Sequence, residues 1–126
     1  MIYCFATDSP RMESSGGMVG IDAGTTAAVV CNSQAFPPPT YIWSRGTNQL
    51  DNDGKYLITS VMTSGAFPYG SVLNITGFSI VDTGSYTCQA TNDIGSSFIS
   101  FNLTMNCKFT YLNSLFLVVS FKHLNT

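Results

Sequence analysis

From Thr26 onward the chain alternates, with Ala27, Val29 and Cys31 on one side of an extended strand and Thr26, Ala28 and Val30 on the other. Beyond Pro37 and Pro39, Tyr41 and Trp43 share one parity, which turns the only tryptophan toward the same interior. Farther along, Leu73 and Ile75 form an inward pair, Phe78 follows in a turn, and Tyr86, Cys88 and Ala90 alternate inward again. Clusters of Gly, Pro, Asn and Ser interrupt these runs at 15–17, 36–39, 48–54, 65–70 and 91–96. No apolar run has helical spacing. The pattern predicts many short antiparallel strands closed by turns, hence an all-β sandwich or small barrel.

Composition narrows the reading. The 126 residues suit one domain with short tails, and the Val, Ile, Thr, Tyr and Phe content favours strands. Charged residues make up only 10% of the chain and the formal net charge is -2, so a nucleic-acid ligand that needs a basic face is excluded. The four cysteines, Cys4, Cys31, Cys88 and Cys107, show no CxxC spacing, and His123 is the sole histidine. No metal-ligand set, no nucleophile paired with a base, no glycine-rich phosphate loop and no GxSxG elbow is visible, so the expectation is no catalytic residue, no metal, no cofactor and no small-molecule substrate. His123 reads as a solvated tail residue.

The most specific signal joins distant residues. Cys31 is followed by Trp43, then by Leu73 and Ile75, and the run Asp82-Thr83-Gly84-Ser85-Tyr86-Thr87-Cys88 ends on the second cysteine. This set resembles the immunoglobulin superfamily, and Cys88, Ala90, Asn92 and Gly95 in a CxAxNxxG arrangement resemble its intermediate-set members. The match covers about residues 17–105. Residues 1–16 are read as an N-terminal tail and 106–126 as a C-terminal tail.

The resemblance implies an immunoglobulin-like two-sheet antiparallel Greek-key sandwich. It implies a Cys31–Cys88 disulfide between the sheets, Trp43 against that bridge, and a Tyr86 hydroxyl bonded to backbone a few residues upstream. Asp82 and Gly84 are expected to shape the turn before the Tyr86 strand, the carboxylate by accepting backbone amides and the glycine by taking positive φ. Against the family pattern, residues 60–71 read as a long, mobile loop between two strands.

The chain ends carry further expectations. Cys4-Phe5-Ala6-Thr7-Asp8 echoes Cys88-Gln89-Ala90-Thr91-Asn92, which reads as the end of a preceding repeat in a tandem array. The competing reading pairs Cys4 with Cys107 across the two ends of the domain. Neither a leader at the start nor a membrane span at 109–121 is visible, the latter being too short and interrupted by Asn113 and Ser114.

Two acceptor tripeptides, Asn74-Ile75-Thr76 and Asn102-Leu103-Thr104, place an asparagine between inward neighbours and so outward. With a disulfide they indicate an extracellular or cell-surface setting. The expected function is a protein-binding or spacer module of an adhesion, receptor or matrix protein, with a homophilic or heterophilic protein partner. The alternatives are an intracellular cytoskeletal or sarcomere-like domain, or an accessory domain of a larger receptor enzyme. The candidate binding face carries Ile42, Arg45, Gln89 and Thr91, with Ile42 an apolar side chain among polar ones.

Overall fold

The computed structural model describes residues 7–14 and 16–106, and the backbone of two strands beyond them. In chain order the strands are β1 (Asp8–Met12), β2 (Gly16–Asp22), β3 (Ala27–Phe36), β4 (Thr40–Arg45), β5 (Asn48–Gln49), β6 (Tyr56–Met62) and β7 (Tyr69–Ile75). A 3-10 turn (Ile80–Asp82) leads to β8 (Gly84–Thr91) and β9 (Ser96–Asn106), and β10 (Thr110–Asn113) pairs with β11 (Phe116–Val118). Cys4, Cys107 and His123 lie outside the described residues.

Two sheets face each other in the sandwich expected from the sequence. One has the order β1-β3-β7-β6 and is antiparallel throughout. The other has the order β2-β9-β8-β4-β5, and here β2 runs parallel to β9, so this sheet is mixed. Consecutive strands β3 and β4, and β7 and β8, lie in different sheets, which gives the crossed connections of a Greek key.

The core forms where the inward positions of both sheets meet. Ala27, Val29 and Cys31 of β3 are buried, as are Trp43 of β4, Leu73 and Ile75 of β7, and Tyr86, Cys88 and Ala90 of β8. Cys31 and Cys88 form a disulfide with their Cα atoms 6.4 Å apart, linking the two sheets. Trp43 lies directly across the ladder from Cys88, stacks on Phe101 at 6.2 Å, and donates its indole N–H to Ser71 Oγ at 2.9 Å. Phe78 and Leu103 complete the interior. Burying each such side chain contributes roughly 1.5–3 kcal/mol before the entropy of ordering it.

Two boundaries differ from the sequence reading. The sandwich begins before Gly17, because Asp8–Met12 pairs with β3, Pro10 is fully buried and Met12 packs against the core. Ser97 Oγ donates to the Pro10 carbonyl and Asn92 Nδ2 donates to the Asp8 carbonyl at 2.7 Å, so the strand is tied to the other sheet as well. A short edge strand with a proline buries too few residues to show a periodic signal, and an edge tolerates the missing N–H. The supposed loop at 60–71 is half strand: β6 continues to Met62 and β7 starts at Tyr69. The connection is short and closed by Thr63 N–H on the Pro68 carbonyl at 2.8 Å.

Candidate docking face on the five-stranded sheet

The inward parity of Trp43, Cys88 and Ile99 fixes what points the other way. Ile42 faces Gln89 across β4 and β8, and Gln89 faces Phe98 across β8 and β9, so the three side chains form one outward row. Phe98 is 70% exposed and Ile42 41%. Below them lies a hydroxyl row of Ser44, Thr87 and Ser100, with Thr87 and Ser100 bonded to each other at 3.0 Å. Above them lie Thr40, Thr91 and Ser96. Ile42, Ser44, Gly46, Thr87, Gln89 and Phe98 line a shallow depression between the rows. None of these side chains carries a charge.

Of the four residues expected on this face, Ile42, Gln89 and Thr91 lie on it and Arg45 does not. Arg45 shares the parity of Trp43 and points to the core side at the end of β4. Its guanidinium stands 5.3 Å from the centre of the Tyr86 ring, and Nη2 donates to the carbonyls of Val81 at 2.6 Å and Thr83 at 2.9 Å. It clamps a turn. Phe98, which the sequence reading missed, takes its place as the dominant exposed group. Its parity against Ile99, Phe101 and Leu103 was available in the sequence, but the adjacent apolar pair Phe98-Ile99 blurs the alternation.

The turn that Arg45 clamps is built from the residues before β8. Asp82 is buried, and its carboxylate accepts the Ser79 N–H at 2.9 Å and Lys55 Nζ at 2.8 Å. Burial pushes this carboxyl up, but the Lys55 and Ser79 bonds outweigh burial and hold it below its ordinary range. Tyr86 Oη donates to the Asp82 carbonyl at 2.6 Å, and burial drives its own pKa well above the usual phenol value. Gly84 has φ 139, a left-handed conformation that strains any residue with a Cβ. These groups shape the turn, and Gly84 also lines a depression with Ile80, Thr83 and Asn102.

The two acceptor asparagines fall on opposite faces. Asn102 is exposed on β9, down the strand from Phe98 on the same face. Asn74 lies on β7 in the outer surface of the other sheet, flanked by Ala28 and Leu57. Among the described residues no group of three or more His, Cys, Asp or Glu side chains could hold a metal ion, and no helix is long and apolar enough to cross a membrane.

Comparison with known proteins agrees with this architecture. A family model described as an immunoglobulin domain matches residues 9–92. Human peroxidasin homolog is 36% identical over 87 residues, which is 69% of this chain and 5% of that protein. Mouse cell adhesion molecule DSCAML1 is 30% identical over 89 residues, 71% of this chain and 4% of that protein. Human myosin-binding protein C, fast-type, is 35% identical over 77 residues, 60% of this chain and 6% of that protein. The chain therefore spans only a small part of the length of these relatives. The solved titin M4 domain superposes with a TM-score of 0.69 at 22% identity, covering 80% of this chain and 99% of that one. The match of the family model over most of the sandwich, with the disulfide, tryptophan and tyrosine arrangement described above, shows that this chain belongs to the immunoglobulin domain family.

Proposed function

We propose that this domain is a non-catalytic protein-recognition or spacer module of a larger cell-surface or extracellular chain, and that it docks through the Ile42–Gln89–Phe98 row. The observation that carries the reading is Phe98, 70% exposed in one row with Gln89 and Ile42, between rows of uncharged side chains. Exposed aromatic groups rimmed by uncharged polar ones supply contact area at low ordering cost, and no ion has to be desolvated on docking. Asn74 and Asn102 act as N-glycan acceptors, and a glycan at Asn102 bounds the lower end of the docking row. Similarity to an adhesion molecule supports the same setting.

The test presents the domain clustered on beads, to one another and to intact cells. Phe98→Asp alone, and Ile42→Asp with Gln89→Ala, are expected to cut bead–bead or bead–cell binding at least roughly tenfold, the effect of losing one interface anchor. Undiminished binding by folded variants removes this face from the proposal. Whether beads bind beads or only cells separates a homophilic from a heterophilic partner.

A second reading, an intracellular structural domain, is favoured by the similarity to myosin-binding protein C. The two readings part on the redox state of Cys31 and Cys88 in native material, oxidised for the extracellular setting and reduced for the intracellular one. The similarity to peroxidasin homolog fits a third arrangement, an accessory domain beside a catalytic one elsewhere in a longer chain.

A further inference from the structure

The outer face of the β3-β7-β6 sheet carries apolar side chains interspersed with Asn74, Thr59 and Asn32, and Glu13 contacts Asn32 at the β1 edge. Its cross-strand rows read Ala28–Asn74–Leu57, Val30–Val72–Thr59 and Asn32–Gly70–Val61. Leu57 is 51% exposed and Val30 45%. Covering these side chains would remove apolar surface from water.

Asn74 stands within this patch. Asparagine is depleted in strands because its amide competes for backbone bonds, so one placed between Ala28 and Leu57 requires a reason. Four other asparagines of the sandwich use their amides, whereas Asn48 and Asn102, like Asn74, make no side-chain hydrogen bond among the described residues. Asn32 donates to Glu13 at 3.0 Å, Asn52 accepts the Ile58 N–H at 2.6 Å, Asn92 donates to the Asp8 and Pro37 carbonyls, and Asn106 donates to Asp22 at 3.2 Å. Among the described residues the Asn74 amide makes no side-chain hydrogen bond, and its nitrogen is free to carry a substituent. Thr76, the third residue of the acceptor tripeptide, donates to the Gly54 and Lys55 carbonyls at 3.2 Å, so it has a structural place once the strand has folded.

We infer that an N-linked glycan on Asn74 is the cover of this apolar face, packing over Val30, Leu57 and Val72, and that this sheet is closed to protein partners. The inference rests on the extracellular reading above. In the transfer, Asn74 Nδ2 bonds to the anomeric carbon of a polyprenyl-diphosphate-linked oligosaccharide, the polyprenyl diphosphate leaves, and the amide gives up one proton. The apolar faces of the proximal sugars then replace water over the valine and leucine side chains. Docking is left to the opposite sheet, where Phe98 is exposed.

The experiment secretes the full chain from cultured mammalian cells behind an added signal peptide and maps the glycopeptides. The folded glycoprotein is then compared with the same protein stripped by an amidase that removes the whole glycan, and with Asn74→Gln and Asn102→Gln. The readouts are thermal midpoint, binding of an apolar fluorescent dye, and sedimentation. Loss of the Asn74 glycan is expected to raise dye fluorescence at least about twofold and lower the midpoint by roughly 4 °C. Loss of the Asn102 glycan is expected to change neither. Adding Val30→Thr and Leu57→Thr to Asn74→Gln should abolish the dye signal.

An unmodified Asn74 beside a modified Asn102 overturns the inference and leaves the extracellular reading standing. So does an Asn74 glycan whose enzymatic removal alters none of the readouts. Sugar on neither asparagine also overturns it. The extracellular reading itself is decided separately: reduced Cys31 and Cys88 in native material would sink it.

Discussion

The Arg45 guanidinium lies over the Tyr86 ring, 5.3 Å from its centre, while Nη2 holds the carbonyls of Val81 and Thr83. One side chain thus pins the turn before β8 to the end of β4. Arg45→Met keeps much of the apolar stem but gives up the charge-assisted bonds and the cation over the ring. The expected cost is about 1–2 kcal/mol, a fall in Tm of about 5–10 °C for a domain of this size. Docking through Phe98 should not change, and parallel loss of binding by a folded Arg45→Met protein would return Arg45 to the binding face.

Tyr86→Phe isolates the hydroxyl from the ring. The Asp82 carbonyl, now bonded at 2.6 Å, loses its donor inside the core while the packing stays. A buried acceptor left unpaired costs about 1–3 kcal/mol. Denaturant titration checks this, with a lower midpoint at an unchanged slope as the expected result.

Asp82 makes acid stability predictable in sign. Its folded pKa lies below the ordinary carboxylate value, so its contribution is fully present above that value and is lost as pH falls through the lower folded one. Asp82→Asn should be less stable than the parent at neutral pH by about 1–2 kcal/mol. The gap should close as the pH drops below about 4. Calorimetry from neutral to acid pH tests it, and a gap that stays constant rules out the carboxylate as its source.

The Cys31–Cys88 bridge closes a separation of 57 residues. On the chain-entropy account, a loop of that length is worth about 4 kcal/mol. Cys31→Ala with Cys88→Ala should therefore remove a large share of the stability of so small a domain. The loss should exceed that of Arg45→Met in the same titration. An equal or smaller loss would mean that Trp43 and its neighbours hold the sheets together without the bridge.

Much of this fold is legible in the chain. Strand side chains alternate with period two, so Ala27, Val29 and Cys31, then Trp43, then Tyr86, Cys88 and Ala90 declare one interior by their own spacing. The turn of Asp82 and Gly84 is partly local too, since the Ser79 and Tyr86 bonds lie within one short segment, while the Lys55 and Arg45 bonds come from far along the chain. Arg45 shows where that reading slipped, because its parity with Trp43 already placed it on the core side and its charge argued otherwise.

Other features have no local signature. Pro10 is buried because Ser97, far along the chain, comes to its carbonyl, and β2 is parallel to β9 because the first strand region divides between the two sheets. The Ile42–Gln89–Phe98 row and the Ala28–Asn74–Leu57 row each add to a hairpin, β8–β9 or β6–β7, a third strand distant in sequence. Periodicity tells each strand which of its faces turns outward. Only the register of the folded sheets decides which outward residues become neighbours, because register is set by long-range backbone pairing and by the packing of both inner faces at once.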